Sequence, residues 1–383
     1  MKTKKLLLAL APIIMAGCAQ NEIIESAPSI DRAIKFDVYT GVQTKGLEMT
    51  TTSIQTLNFG IFAYKTTTAG WDSEGASTTP DGMYNEKATY SASSWSYTNT
   101  KYWPTNGDKI SFFAYAPYCE QTGTPDIKLS PSTQQGAPEI TFTQNTAATD
   151  LVDLVVAEAE DKTYDANASN AADNKVSFTF NHILTKIDVK AKLTSALQGG
   201  STKIFITGLK LKSDGKLYKK ATYKMSDKKW YYETADSKAE AWASGGSLDL
   251  DGILNKSNTA TWGYSASQGK ELATTAATVF STSSSAQHFL YMIPVRAEET
   301  TSPGLEKEGD AKLEVTYDIV VKVTDSSYAK STTTKEVNLP SGAFKKGTFT
   351  TYTLKIGLNA IELGNVEVST TWASGTDTEL EVK

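Results

Sequence analysis

Histidine is the side chain that most readily exchanges a proton near neutral pH, and this chain has only His182 and His288. His182 follows the apolar strand pattern Val176, Phe178, Phe180, and His288 precedes Phe289. That setting suits a structural imidazole better than a general base. There is no G-x-S-x-G elbow, phosphate-binding loop or H-E-x-x-H pair. Asp249, Asp251 and Gly252 outline the start of a calcium loop, but the third acidic position and the distant glutamate are missing, which excludes an EF-hand. Paired carboxylates for glycoside hydrolysis are defined by spatial separation, and nothing in the sequence nominates such a pair. The expectation is a chain with no catalytic residue, metal or cofactor, and not an enzyme.

Cysteine offers the other reactive group. Lys2, Lys4 and Lys5 precede the apolar run Leu6–Met15, then Ala16, Gly17 and Cys18. This is the order of a secretory leader, too short to cross a bilayer as a helix. Ala16-Gly17-Cys18 resembles a lipobox, in which the cysteine is acylated before cleavage; Met15 stands where that pattern more often has Leu. Each buried methylene contributes about 0.8 kcal/mol, so several acyl chains, palmitate among them, hold firmly where one would not. The alternative is an ordinary leader with an incidental Cys18. Without Cys18, Cys119 has no partner for an intramolecular disulfide, and its position after Ile110–Tyr118 suggests packing. Residues 1–17 are thus expected to be a lipoprotein signal peptide. Residues 18–32, mostly polar or small with Pro28, read as a tether.

The elements around these residues are strands. The 383 residues are 39% hydrophobic, 10% aromatic and 21% charged, enough for two buried cores and too aromatic for disorder. A formal charge of −5 with no basic block argues against nucleic acid. Ile34, Phe36 and Val38 alternate with Lys35, Asp37 and Tyr39, the period of a half-buried strand. Gly41–Ser53 breaks the pattern, which resumes at Leu57, Phe59, Ile61 and Ala63. Further strands are expected at Ile110–Tyr115, Ile140–Phe142, Leu151–Ala157, Ile204–Leu211, Phe289–Val295, Val315–Val323 and Tyr352–Leu358. Asp214-Gly215 signals a hairpin. Apolar residues occupy even positions from Val176 to Phe180 and odd positions from Ile187 to Leu193, so the buried face flips near Asn181-His182. That requires a bulge or a passage between sheets, and the domain boundary is placed there. The expected fold is all-β, with one sandwich over 33–181 and another over 182–383. The seven tryptophans, and the cluster Trp95, Tyr97, Tyr102, Trp103, Pro104, could line a sugar-binding face, though aromatics more commonly fill β cores.

In this order, the segments resemble the fimbrillin-like family, subunits of the type V pili of Gram-negative anaerobes. The resemblance rests on Cys18, AIKFDVYTG at Ala33–Gly41, TKG at Thr44–Gly46, FGIFAY at Phe59–Tyr64 and WSYTNTKYWP at Trp95–Pro104. It continues through ISFFAYAPY at Ile110–Tyr118, DLVVAEA at Asp153–Ala159, FTFNHILTKIDV at Phe178–Val189, FLYMIPV at Phe289–Val295 and Trp372. It implies two tandem transthyretin-like β-sandwich domains and a lipoprotein precursor displayed at the outer membrane. A trypsin-like surface protease then cuts after a basic residue and removes the first strand, and a strand of a neighbouring subunit fills the groove. Carried over residue by residue, the cut falls between Lys45 and Gly46, where the family usually has Arg; a protease restricted to Arg would find Arg32 instead. The displaced strand carries Ile34, Phe36 and Val38, whose burial is worth roughly 5–9 kcal/mol at about 1.5–3 kcal/mol each. The donor is expected to be C-terminal, either Asn365–Trp372 with Val366, Val368 and Trp372, or Thr376–Lys383 with Leu380 and Val382. Head-to-tail exchange makes an open filament of homologous pilin subunits, so the expected role is a stalk or tip subunit of an adhesive surface fimbria. The rival expectation is a non-polymerised, lipid-anchored surface protein, a pilus anchor or cap, or a binder of a host or glycan ligand.

Overall fold

The computed structural model describes residues 32–40, 49–167, 174–197, 200–213, 215–232, 240–241, 246–256, 261–265, 267–281, 288–295, 309–340, 344–358 and 361–369. The chain is all-β. Its strands begin with β1 (Lys35–Thr40), β2 (Phe59–Thr66), β3 (Glu86–Ser91), β4 (Ser94–Ser96) and β5 (Lys109–Ala116). Next come β6 (Ile127–Leu129), β7 (Glu139–Thr143), β8 (Val155–Lys162), β9 (Lys175–His182), β10 (Thr185–Leu193) and β11 (Thr202–Ser213). Then follow β12 (Tyr218–Lys224), β13 (Lys229–Tyr231), β14 (Glu240–Ala241), β15 (Ser247–Asp249), β16 (Lys270–Glu271) and β17 (Ala277–Thr278). The last are β18 (Leu290–Met292), β19 (Ala311–Thr324), β20 (Ser327–Asn338), β21 (Phe349–Ile356) and β22 (Ile361–Ser369).

The first sheet has the order β1-β9-β8-β5-β2-β3-β4. Its inner face, with Phe59, Ile61, Phe112, Ala114, Val155, Ala157, Phe178 and Phe180, shares one core with Ile34, Phe36 and Val38. The outer face of β2 and β5, with Phe62, Tyr64, Phe113 and Tyr115, belongs to a second core with residues of β7, β12 and β13. This double cover explains why β2 and β5 are apolar along almost their whole length instead of alternating. A second sheet, β13-β12-β7-β6 with β14 beside β12, takes strands from both sides of residue 181; Ile140 stands opposite Tyr223 and Phe142 opposite Ala221. Two more sheets, β17-β10-β21-β22 with β18 and β15-β11-β19-β20 with β16, are formed by the remaining described strands.

The face flip near Asn181-His182 is a passage between sheets: β9 belongs to the first and β10 to the third. The hairpin expected at Asp214-Gly215 does not form, because β11 and β12 lie in different sheets. The break at Gly41–Ser53 ends in a short helix, α1 (Thr51–Leu57), whose Thr50 hydroxyl accepts the Ser53 N–H at 3.1 Å and which buries Ile54. Leu57, read as strand, is the exposed end of that helix. Val155 begins β8, so the front of the expected strand Leu151–Ala157 is irregular. Trp103 and Trp230 are fully buried, which removes Trp103 from any sugar-binding face.

Candidate functional site

Strand β1 is the edge of the first sheet and the parallel one. It pairs with β9 from Lys35 opposite Lys175 to Thr40 opposite Phe180, while the other ladders of that sheet are antiparallel. Parallel pairing is slightly weaker per residue, so side chains carry much of its attachment. Ile34, Phe36 and Val38 are 1%, 3% and 6% exposed, as their alternation implied. Phe36 stacks on Phe178 with ring centroids 5.6 Å apart and meets Phe112, Tyr97 and Phe59 edge-on at 5.6, 5.7 and 6.5 Å. Offset and edge-on ring pairs of this kind add to simple burial.

Polar contacts fix both ends of β1. At its start the backbone of Ile34 and Arg32 bonds to Lys101 and Trp103, and the Tyr97 hydroxyl donates to the Ile34 carbonyl at 2.9 Å. Burial pushes the Tyr97 phenol up to about 12, so it remains a donor. The Arg32 guanidinium donates to the Pro104 carbonyl at 2.7 Å and lies 4.2 Å from the Tyr164 ring centroid. At the far end, Thr40 and Thr51 form a reciprocal clip: each backbone N–H donates to the other's hydroxyl, at 3.1 and 2.8 Å. Midway, Lys175 of β9 pairs with Asp37 at 3.2 Å. A cleft of about 320 Å³ runs beside β1, lined in part by Thr51, Gln55, Tyr90, Ser94 and Trp95.

A separate contact holds the chain beyond the expected cut. Asp153 is fully buried; its Oδ2 accepts the Met49 N–H at 2.9 Å and lies 2.8 Å from His182 Nδ1. His182 is therefore a partner of a buried carboxylate, in keeping with its structural reading. An acid inside the apolar run Leu151–Ala157 was the available sequence signal for this contact. The Thr40–Thr51 clip gave no such signal, because threonine is abundant throughout.

Of the residues singled out in the sequence, Ile34, Phe36 and Val38 come together in one core. Val366 and Val368 lie in β22, opposite Tyr352 and Thr350 of β21 at the edge of the third sheet. Cys18, Lys45, Gly46, Trp372, Leu380 and Val382 lie outside the described residues. Cys119 is half-buried, and burial pushes its thiol up, away from the reactive thiolate. Trp95 is half-buried and packs on Phe59 and Tyr90. No cluster of three or more potential metal ligands occurs among the described residues.

What these residues define is an edge strand sealed into its sheet by apolar seats and joined to the rest of the chain across residues 41–48. Comparison with known proteins places it: residues 48–372 match the fimbrillin-like family model, and the chain belongs to that family. It is 42% identical to the fimbrium subunit Fim1C of Phocaeicola vulgatus over the full length of both. It is also similar to the crystal structure of a fimbrial protein from Bacteroides vulgatus, with 41% identity and a TM-score of 0.74 over 88% of this chain and 99% of that one.

Proposed function

We propose that this protein is a structural subunit, stalk or tip, of an adhesive surface fimbria, made as an outer-membrane lipoprotein acylated at Cys18 and assembled by strand exchange. A trypsin-like protease cuts between Lys45 and Gly46, β1 leaves, and the C-terminal segment of a neighbouring subunit takes its place. The observation that carries this reading is β1 itself: an edge strand whose three apolar seats survive its removal, because their walls belong to β2, β5 and β9. Its loss leaves an apolar groove beside the exposed backbone edge of β9, the setting for strand addition. Arg32 is held by Pro104 and Tyr164 and precedes β1, so a cut there would leave the groove filled. The relatives' names as fimbrial proteins support the role of fimbrial subunit. The division into two transthyretin-like units at residue 181 is part of this reading; the change of sheet between β9 and β10 supports it, and the sheet that β6 and β7 share with β12, β13 and β14 joins the two units.

The test is the intact mass and N-terminal sequence of the protein recovered from the cell surface. A chain starting at Gly46 without lipid is expected, and Lys45→Ala should leave a lipidated, monomeric chain starting at Cys18. Filaments built from Lys45→Ala subunits would refute the cut at Lys45. A wild-type chain that keeps Cys18 and β1 would make the protein an anchor, a cap or a separate surface-binding lipoprotein.

A further inference from the structure

We infer that the donor reproduces β1 seat for seat: Leu380, Glu381 and Val382 of a second copy replace Phe36, Asp37 and Val38, with Lys175 setting the register by pairing with Glu381. This rests on the strand-exchange reading and specifies which segment enters, in which direction and in which frame.

The argument starts from Lys175. It lies on β9, which stays in the subunit, and its ammonium pairs with Asp37, which leaves with β1. Both groups are about one-third exposed, at 34% and 35%, so the pair is only partly screened. A vacated groove therefore presents a cation that has lost its partner, between two apolar seats. The incoming strand must be apolar at both seats and is favoured if an acid lies between them.

The triplet apolar-acid-Val occurs five times in the chain: Phe36–Val38, Ile187–Val189, Leu313–Val315, Val366–Val368 and Leu380–Val382. Ile187–Val189 and Leu313–Val315 lie in β10 and β19, each laddered on both edges. Releasing either would dismantle a core. Val366–Val368 lies in β22, laddered to β21 from Ile361 to Ser369, and it would bring Gly364 to the Ile34 seat. Leu380–Val382 lies beyond the described strands, and the same frame brings Thr378 to the Ile34 seat.

Side-chain size fixes the direction. The Phe36 seat is walled by four rings and is the larger; the Val38 seat took a valine. Entry in the direction of β1 puts Leu380 in the large seat and Val382 where a valine already fitted. Lys383 then replaces Tyr39, whose side chain is 57% exposed. Reversed entry would put valine in the aromatic seat and leucine in the smaller one, leaving a void and a clash.

The test uses full chains as the sole copy in cells that assemble the filament, each carrying Asp37→Asn. That change keeps Lys175→Glu from facing Asp37 in the precursor and is absent from the processed subunit. Lys175→Glu, Glu381→Lys and the double variant are compared by the rate at which purified filaments dissociate in detergent. Each single reversal is expected to speed dissociation about tenfold, and the double variant to return within about twofold of the parent. Leu380→Phe, filling an aromatic seat, is expected to slow it about fivefold. Processed filaments in which Lys175→Glu dissociates at the parental rate, or in which the double variant is no better than the singles, would overturn the register while leaving strand exchange standing. Filaments whose subunits still begin at Cys18 would overturn both.

Discussion

Replacing Phe36 by Ala separates the two lives of this subunit. The ring is 3% exposed and touches four other rings, so the truncation should cost the unprocessed chain about 3–5 kcal/mol. At about 1.4 kcal/mol per tenfold change, β1 should detach roughly 10² to 4 × 10³ times more often. On the proposed reading the processed subunit has lost β1, so it would be chemically identical to wild type. Urea unfolding and amide hydrogen exchange over Lys35–Thr40 of the unprocessed chain should therefore show a large loss of protection. Filaments from the same cells should melt as wild type. Phe178→Ala supplies the contrast: Phe178 lies on β9, which the proposed exchange leaves in the subunit, and stacks on Phe36, so it should weaken precursor and filament alike. A Phe36→Ala filament that dissociates faster than wild type would show that residue 36 persists in the assembled state and refute the reasoning. An unchanged unfolding midpoint would show that β1 contributes little to the precursor.

Deletion of Thr376–Lys383 should block filament formation and leave the thermal midpoint of the unprocessed monomer unchanged; normal filaments from that truncation would transfer the donor role to another segment. Asp188 tests the second core. Burial raises its carboxyl above the usual 3.8, while the Thr278 hydroxyl that donates to it at 2.7 Å pulls the other way. A raised folded-state value means that the contribution to stability is complete below the unfolded pKa and is lost as pH rises through the folded one. Asp188→Asn keeps an acceptor for Thr278 and carries no charge, so it should raise the melting temperature near neutral pH. The gain should shrink towards zero when the pH falls below about 3.8. A gain independent of pH would show that charge is not its cause.

Strand content was legible wherever one face of a strand was buried. Ile34, Phe36 and Val38 announce β1 by alternation, and the parity change between Phe180 and Ile187 locates the step from one sheet to the next. Legibility failed where a partner lies far away in sequence. Nothing local to Ile140 or Phe142 indicates that β7 will pair with β12, some eighty residues on, because strand pairing is decided by burial and register together. Helix α1 escaped notice because Thr51–Leu57 is threonine-rich and poorly disposed to helix. It forms through the Thr50 cap and the burial of Ile54. The seats of β1 could be read from β1 alone, but their walls could not: Phe59, Phe112 and Phe178 converge only once β2, β5, β8 and β9 have paired.

The position of the expected cut divides two sets of contacts with opposite consequences. Everything that fastens β1, from the Arg32–Pro104 bond to the Thr40 side of the clip, lies before Gly41 on the leaving strand. The first contact after it in the described chain is Met49, held through its backbone by the buried Asp153 beside His182. Asp153 is buried with Oδ1 unpartnered among the described residues, so losing the Met49 N–H from Oδ2 would add to the cost of its burial, which favours keeping Met49 in place under the proposed cut. With Met49 anchored, α1 begins where it did, and the Thr51 N–H and hydroxyl still face the end of the groove. Strand removal on this geometry leaves a pre-formed receptor and not a locally unfolded one, and a receptor that does not have to reorder binds its donor without that entropic loss. The same carboxylate that pairs with His182 would thus let the proposed cut open the groove without collapsing it.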